Sequence, residues 1–186
     1  MKYFAGCLVV LFGHLNLYSQ HYIPVDSSSE ISFKIKNLGF NTTGSFSGLA
    51  GTITFLPDSL AGCSFDVTID ASTVNTGVDK RDDHLRWADF FDVKNYPQIR
   101  FVSEKINTSK KNGTLFVSGK LTIKGITKDL AFPFTAQPIE NGFLFAGEFR
   151  MKRRDFNVGA GNTISDRLTV QLKVVARKAA LTTDIQ

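Results

Sequence analysis

Cysteine, tryptophan and histidine are scarce: the 186 residues contain two, one and three of them. Redox, metal and much nucleophilic chemistry depends on these side chains, so their shortage excludes a good deal. Cys7 lies in an N-terminal apolar run that is expected to be removed, which leaves Cys63 alone and excludes an intrachain disulfide. Cys63 opens an apolar strand face, where a buried, inert thiol is expected rather than a reactive one. His14 leaves with the same run, so His21 and His84 remain. Nucleophilic catalysis needs Ser, Cys or Thr beside a base, usually His. The chain has no G-x-S-x-G, phosphate loop, dinucleotide fingerprint or C-x-x-C. His84 does lie among Asp79, Asp82 and Asp83, which suggests a metal site or an acid–base pair. On a two-turn helix those groups do not converge, and no second cluster has ligand spacing. A solvated helix face, with Lys80 and His84 opposing Asp79 and Asp83, is the plainer reading. No catalytic residue, metal or cofactor is expected, and the chain reads as a binding protein rather than an enzyme; an enzyme using His84 or the Arg153-Arg154-Asp155 loop, and an interaction protein with a filled core, are the alternatives.

Charge of one sign is not concentrated. The formal net charge is +5; loss of residues 1–19, whose only charged side chain is Lys2, leaves +4. Lys152-Arg153-Arg154 is the one basic cluster, too small for a nucleic-acid face, so nucleic acid is excluded as a partner. Long apolar runs are missing beyond Phe4–Phe12, which follows Lys2 and leads to Leu17-Tyr18-Ser19. That pattern is a secretory signal, too short to span a bilayer as a helix, with cleavage expected between Ser19 and Gln20. Cys7 precedes most of the run, which argues against lipidation. The mature chain is expected to be periplasmic or secreted. Three glycosylation sequons, at Asn41, Asn107 and Asn112, matter only in a eukaryotic secretory pathway.

What the sequence has in plenty is phenylalanine, 17 against 4 Tyr, and strict alternation of apolar with polar residues. The stripes are Ile31 to Ile35, Ile53 with Phe55, Cys63 to Ala71, Ile99 with Phe101, Leu115 to Ile123, Leu130 to Phe134, Phe143 to Met151 and Leu168 to Ala176. Period two means β-strands with one wet face. Turn signals such as Lys111-Asn112-Gly113 and Asn141-Gly142 join them as a meander. The fold class is therefore all-β: about eight antiparallel strands, closed as a barrel or stacked as a two-sheet sandwich. One short helix region interrupts them at about 77–92, with Thr76 as N-cap and Asp79 reaching back in a capping box. The domain runs over 20–178, and 179–186 is a C-terminal tail.

The run Asp70-Ala71-Ser72-Thr73-Val74-Asn75-Thr76-Gly77, then Arg81-Asp82-Asp83-His84-Leu85, Asp89-Phe90-Phe91-Asp92-Val93 and Tyr96 to Phe101 closely resembles the bacterial YceI-like family. So do Gly119 to Lys128 and Arg154-Asp155-Phe156-Asn157-Val158-Gly159, and the match covers roughly 22–178. The resemblance implies an eight-stranded lipocalin-like barrel, often a homodimer. Its lumen would hold a polyisoprenoid or similar long apolar lipid, including isoprenoid quinones. The aromatic cluster beside the short helix, rather than the resemblance, suggests that such a lipid is taken up in transient contact with a membrane surface. Alternation does not by itself separate a filled barrel from a hollow one. Gly119, Gly147 and Ser103 share the inward parity and suggest space; the many Phe suggest filling. With the resemblance, the expected ligand contacts are Phe33, Ile35, Phe55, Phe65, Val67 and Ile69 from the first half of the chain. Phe101, Val117, Leu121, Phe132, Phe134, Phe143, Phe145, Phe149, Val170 and Leu172 follow from the second half. Leu85, Trp87, Phe90 and Phe91 would form either a lid or a simple plug at one mouth.

Overall fold

The alternating stripes become nine antiparallel strands of one sheet in the computed structural model, which describes residues 20–161 and 163–179. The strands are β1 (His21–Pro24), β2 (Glu30–Asn37), β3 (Phe40–Thr54), β4 (Ser64–Asn75), β5 (Gln98–Thr108), β6 (Leu115–Ile123), β7 (Ile126–Ile139), β8 (Gly142–Lys152) and β9 (Ile164–Lys178). The expected signal at 1–19 lies outside the described residues, as does most of the C-terminal tail. From β4 to β9 each strand pairs with the next, and β2 lies between β3 and β9. The pairing of β3 with β4, from Ser45 opposite Asn75 to Thr54 opposite Ser64, closes the sheet. That closure decides for a barrel over a sandwich.

Nine strands make eight staves. β2 covers β9 from Lys173 upward, while β1 covers β9 from Ala176 to Lys178 and pairs with β3 at Ile53 and Thr54. A 3-10 turn at Asp26–Ser28 joins the two halves of this one stave. The first half of β3 gives no alternating signal, because Asn41-Thr42-Thr43-Gly44 and Gly48 carry no apolar stripe. Its glycines have structural reasons. A Cβ at Gly44 would collide with the Phe33 ring, and Gly48 and Gly51 take φ of 74° and 125° beside two register shifts.

The helix is shorter than expected, α1 over Asp79–Arg86, followed by turns to the start of β5. The capping box is a correction. Val78 is the N-cap and makes no side-chain cap bond. Asp82, not Asp79, reaches back and accepts the Thr76 N–H at 2.9 Å and the Thr76 hydroxyl. Asp82 is consequently buried rather than part of a solvated face. Asp83 does take a helix-surface partner, Arg86, at 2.9 Å.

One end of the barrel is solid. Tyr22, Phe55, Phe65, Phe134, Phe143 and Phe145 meet edge to face or tilted, with centroids 5.1 Å apart for Phe55 with both Phe143 and Phe145. Rings of this size reach across an eight-stranded barrel, so Val117, Ala176 and Phe55 are almost wholly buried. At the other end a smaller cluster of Leu121, Ile123, Phe156 and Val158 carries Phe90 and Phe91.

Candidate ligand-binding cavity

Away from the aromatic plug the inward positions are mostly aliphatic. Ile35, Val67, Ile69, Ile99, Leu168 and Val170 all point into the barrel, yet each stays only partly buried. Branched aliphatic side chains are too short to meet across the lumen, so space remains. The result is a cavity of about 250 Å³ with an almost wholly apolar wall. For scale, an apolar cavity of ~150 Å³ can stay dry and take up benzene. Phe101, Phe132 and Phe149 form its floor above the plug, and Phe46, Phe90 and Phe91 stand at its mouth.

Polar groups reach the wall mainly near the mouth, and they brace it. Arg81 donates through Nε to Thr76 Oγ1 at 2.6 Å and to the Thr76 carbonyl at 2.8 Å. Arg86 donates to the carbonyls of Ser72 at 2.6 Å and Val74 at 3.1 Å. These bonds tie α1 to β4, making the helix a fixed part of the mouth. Opposite it, buried Arg153 donates to five carbonyls: Ser165 (3.0 Å), Val158 (2.7 Å), Gly161 (2.7 Å), Ile164 (2.9 Å) and Gly159. Burial, helped by neighbouring Arg154, pushes its guanidinium below the usual arginine range. Saturating its donors with carbonyls is what makes that burial tolerable.

Most of the expected contacts line this cavity: Phe33, Ile35, Phe65, Val67, Ile69, Leu85, Phe90, Phe91, Phe101, Leu121, Phe132, Phe134, Phe145, Phe149, Val170 and Leu172. Four do not. Phe55, Val117 and Phe143 have the inward parity but belong to the plug, and Trp87 is 63% exposed. Two of the positions read as space are corrected as well. Gly119 allows close approach of a bulge on β5, since a Cβ there would strike Val102 and Ser103 backbone, and Ser103 Oγ accepts the Phe65 N–H at 2.7 Å. Gly147 does line the cavity. Phe46, Arg81 and Arg153 were missed: Phe46 lies in the half-strand without a stripe, and the arginines read as surface charge.

His84 Nε2 lies 2.9 Å from Asp89 Oδ2, with both groups about half exposed, and its ring meets Trp87 and Phe90. His84 does not line the cavity. Among the described residues no group of three His, Cys, Asp or Glu is placed to hold a metal ion.

The fold and cavity define a class: a closed eight-stranded antiparallel barrel, plugged at one end, with an apolar chamber opening at the other. The YceI-like domain profile matches residues 22–176, and the chain belongs to that family. The protein YceI of Escherichia coli is 35% identical over 138 residues, covering 69% of this chain and 70% of its own. Among solved structures, BcnA of Burkholderia cenocepacia is 30% identical and superposes with a TM-score of 0.77, over 82% of this chain and 98% of its own. A polyisoprenoid-binding domain from Saccharophagus degradans is 18% identical and shares the fold, with a TM-score of 0.71 over 87% of this chain and 99% of its own.

Proposed function

We propose that the cavity holds one long apolar lipid, a polyisoprenoid or isoprenoid quinone, and that the protein is an exported carrier without chemistry of its own. The observation that carries this reading is the partly open, apolar inner wall between the plug and α1. The polyisoprenoid-binding domain of the same fold supports the ligand class.

Magnitudes favour a linear chain. Burying a methylene yields ~0.8 kcal/mol, so a five-carbon isoprene unit contributes about 3–4 kcal/mol. Three or four units then sustain tight binding after the cost of lost motion. The wall runs along β9 from Ile164 to Val174, which at ~3.3 Å per residue and a barrel tilt near 40° gives a depth of roughly 25 Å. Depth limits how much of a long tail is sheltered.

The test is to fill the chamber. Ile69→Phe with Val170→Phe is expected to keep the fold, with Tm within a few degrees of the parent, and to abolish uptake of a dispersed polyprenol. Unchanged uptake in the filled variant would contradict the reading. His84→Ala is expected to leave uptake intact, whereas an enzyme working through His84 and Asp89 would lose turnover.

A further inference from the structure

Leu38 is misplaced by two separate criteria. It occupies the first position of the two-residue turn between β2 and β3, where Leu38 and Gly39 hold φ of 49° and 84°. Hairpin turns with both φ positive favour Asn, Asp or Gly, because a bulky side chain is strained there. The matching turn between β6 and β7 holds Lys124 and Gly125 at 48° and 71°, with a polar residue in that first place. Nor does burial reward Leu38, which is 70% exposed; Phe40, two residues on, is 78% exposed. Phe40 shares parity with Thr42 and Phe46, which line the cavity, and pairs with Asn37, which lines it too. The hairpin thus presents a strained, exposed apolar tip on the rim of the chamber.

The outer face beside that tip is basic. Lys34 and Lys36 on β2, Arg167 on β9, and Arg150 and Lys152 on β8 all point outward and are exposed. Lys152 pairs across the strands with Arg167, and Thr169 separates Lys34 from Arg150. None of the five side chains has an ion-pair or hydrogen-bond partner among the described residues. The carboxylates nearby are engaged: Asp166 accepts the Arg154 backbone N–H at 3.1 Å, Glu148 accepts from Gln171 at 2.9 Å, and Glu30 pairs with Lys173 at 3.5 Å.

We infer that the Leu38–Phe40 hairpin and this basic face dock the barrel mouth onto a bilayer containing anionic phospholipid. Leu38 and Phe40 enter the boundary between headgroups and acyl chains, and the five cations lie against the phosphates. The inference rests on the lipid-binding reading, because docking at the rim serves a protein that takes its cargo from a membrane. A second copy is a poorer occupant, since it would set five cations against five. An acidic protein would satisfy the cations and leave the strained leucine without a purpose.

The experiment is co-sedimentation with vesicles of phosphatidylglycerol and phosphatidylcholine, against phosphatidylcholine alone, with every variant in the same full chain. The parent is expected to partition about tenfold or more better onto the anionic vesicles, with the preference fading as salt rises. Lys36→Glu with Arg167→Glu is expected to erase that preference. Leu38→Asn is expected to weaken vesicle binding several-fold while raising Tm by about 2 °C, because the turn strain is relieved. A folding defect would lower both. Equal partition onto the two vesicles, or variants that bind like the parent, overturns the inference and leaves the face to a protein partner. Polyprenol uptake from detergent, measured on the same proteins, separates the two readings. Intact uptake without vesicle binding sinks the docking surface alone, and absent uptake in the parent sinks the chamber as a lipid site.

Discussion

Cys63 lies just ahead of β4, buried, with its sulfur accepting the Leu56 N–H at 3.1 Å. Burial pushes the thiol up, and that hydrogen bond opposes the shift only in part. A folded value above the unfolded one means that its contribution to stability is complete below the ordinary thiol value of ~8.5 and is lost as pH rises through the folded value. Labelling by an aromatic disulfide at pH 8 is therefore expected to proceed only as fast as the protein opens, and Cys63→Ala should remove part of the alkaline loss of stability. Labelling within the mixing time would contradict this assignment. Asp66 shows the opposite sign at the surface, held below the usual carboxylate range chiefly by its hydrogen bond from Arg100 at 2.7 Å. Both groups of that pair are about half exposed, so solvent screening makes its contribution small.

At the scale of the element, the same strands build two different interiors. On β3, Phe55 follows the strand's end into the plug and is 1% exposed; on β9, Val170 faces the chamber. Phe55→Ala should cost about 3–5 kcal/mol, and Val170→Ala under ~1 kcal/mol in protein stripped of lipid, measured by denaturant unfolding. Comparable costs would mean that the upper barrel is packed. Strands with an unbroken stripe, β6, β8 and β9, were legible in the sequence, because each apolar residue there keeps its inward side. The first half of β3 was not, since its inward positions are Thr42, Gly44 and Phe46 and its glycines exist to admit the Phe33 ring and two bulges. Helix α1 was legible by its polar composition but not in its anchoring, where a tertiary contact buries Asp82 against Thr76.

For the whole molecule, period two tells which side of the wall a residue occupies and nothing about its height along the barrel axis. That is why Phe55, Val117 and Phe143 read like Phe33 and Phe149 while lying in the plug instead of the chamber. Closure, and with it height, came from the β3–β4 register and from β1 completing the stave begun by β2. The hollow itself follows from gathering most rings in the plug, the floor and the mouth while branched aliphatic residues such as Ile35, Ile69, Leu168 and Val170 hold the wall between them, a pattern visible only once the strands are aligned. The most direct measurement is organic extraction of the protein recovered from its host, followed by mass spectrometry of the extract. One long-chain apolar species at close to one molecule per chain is the expected result. Protein that yields no such molecule, and takes none up when offered it, would show that the chamber is not a lipid site.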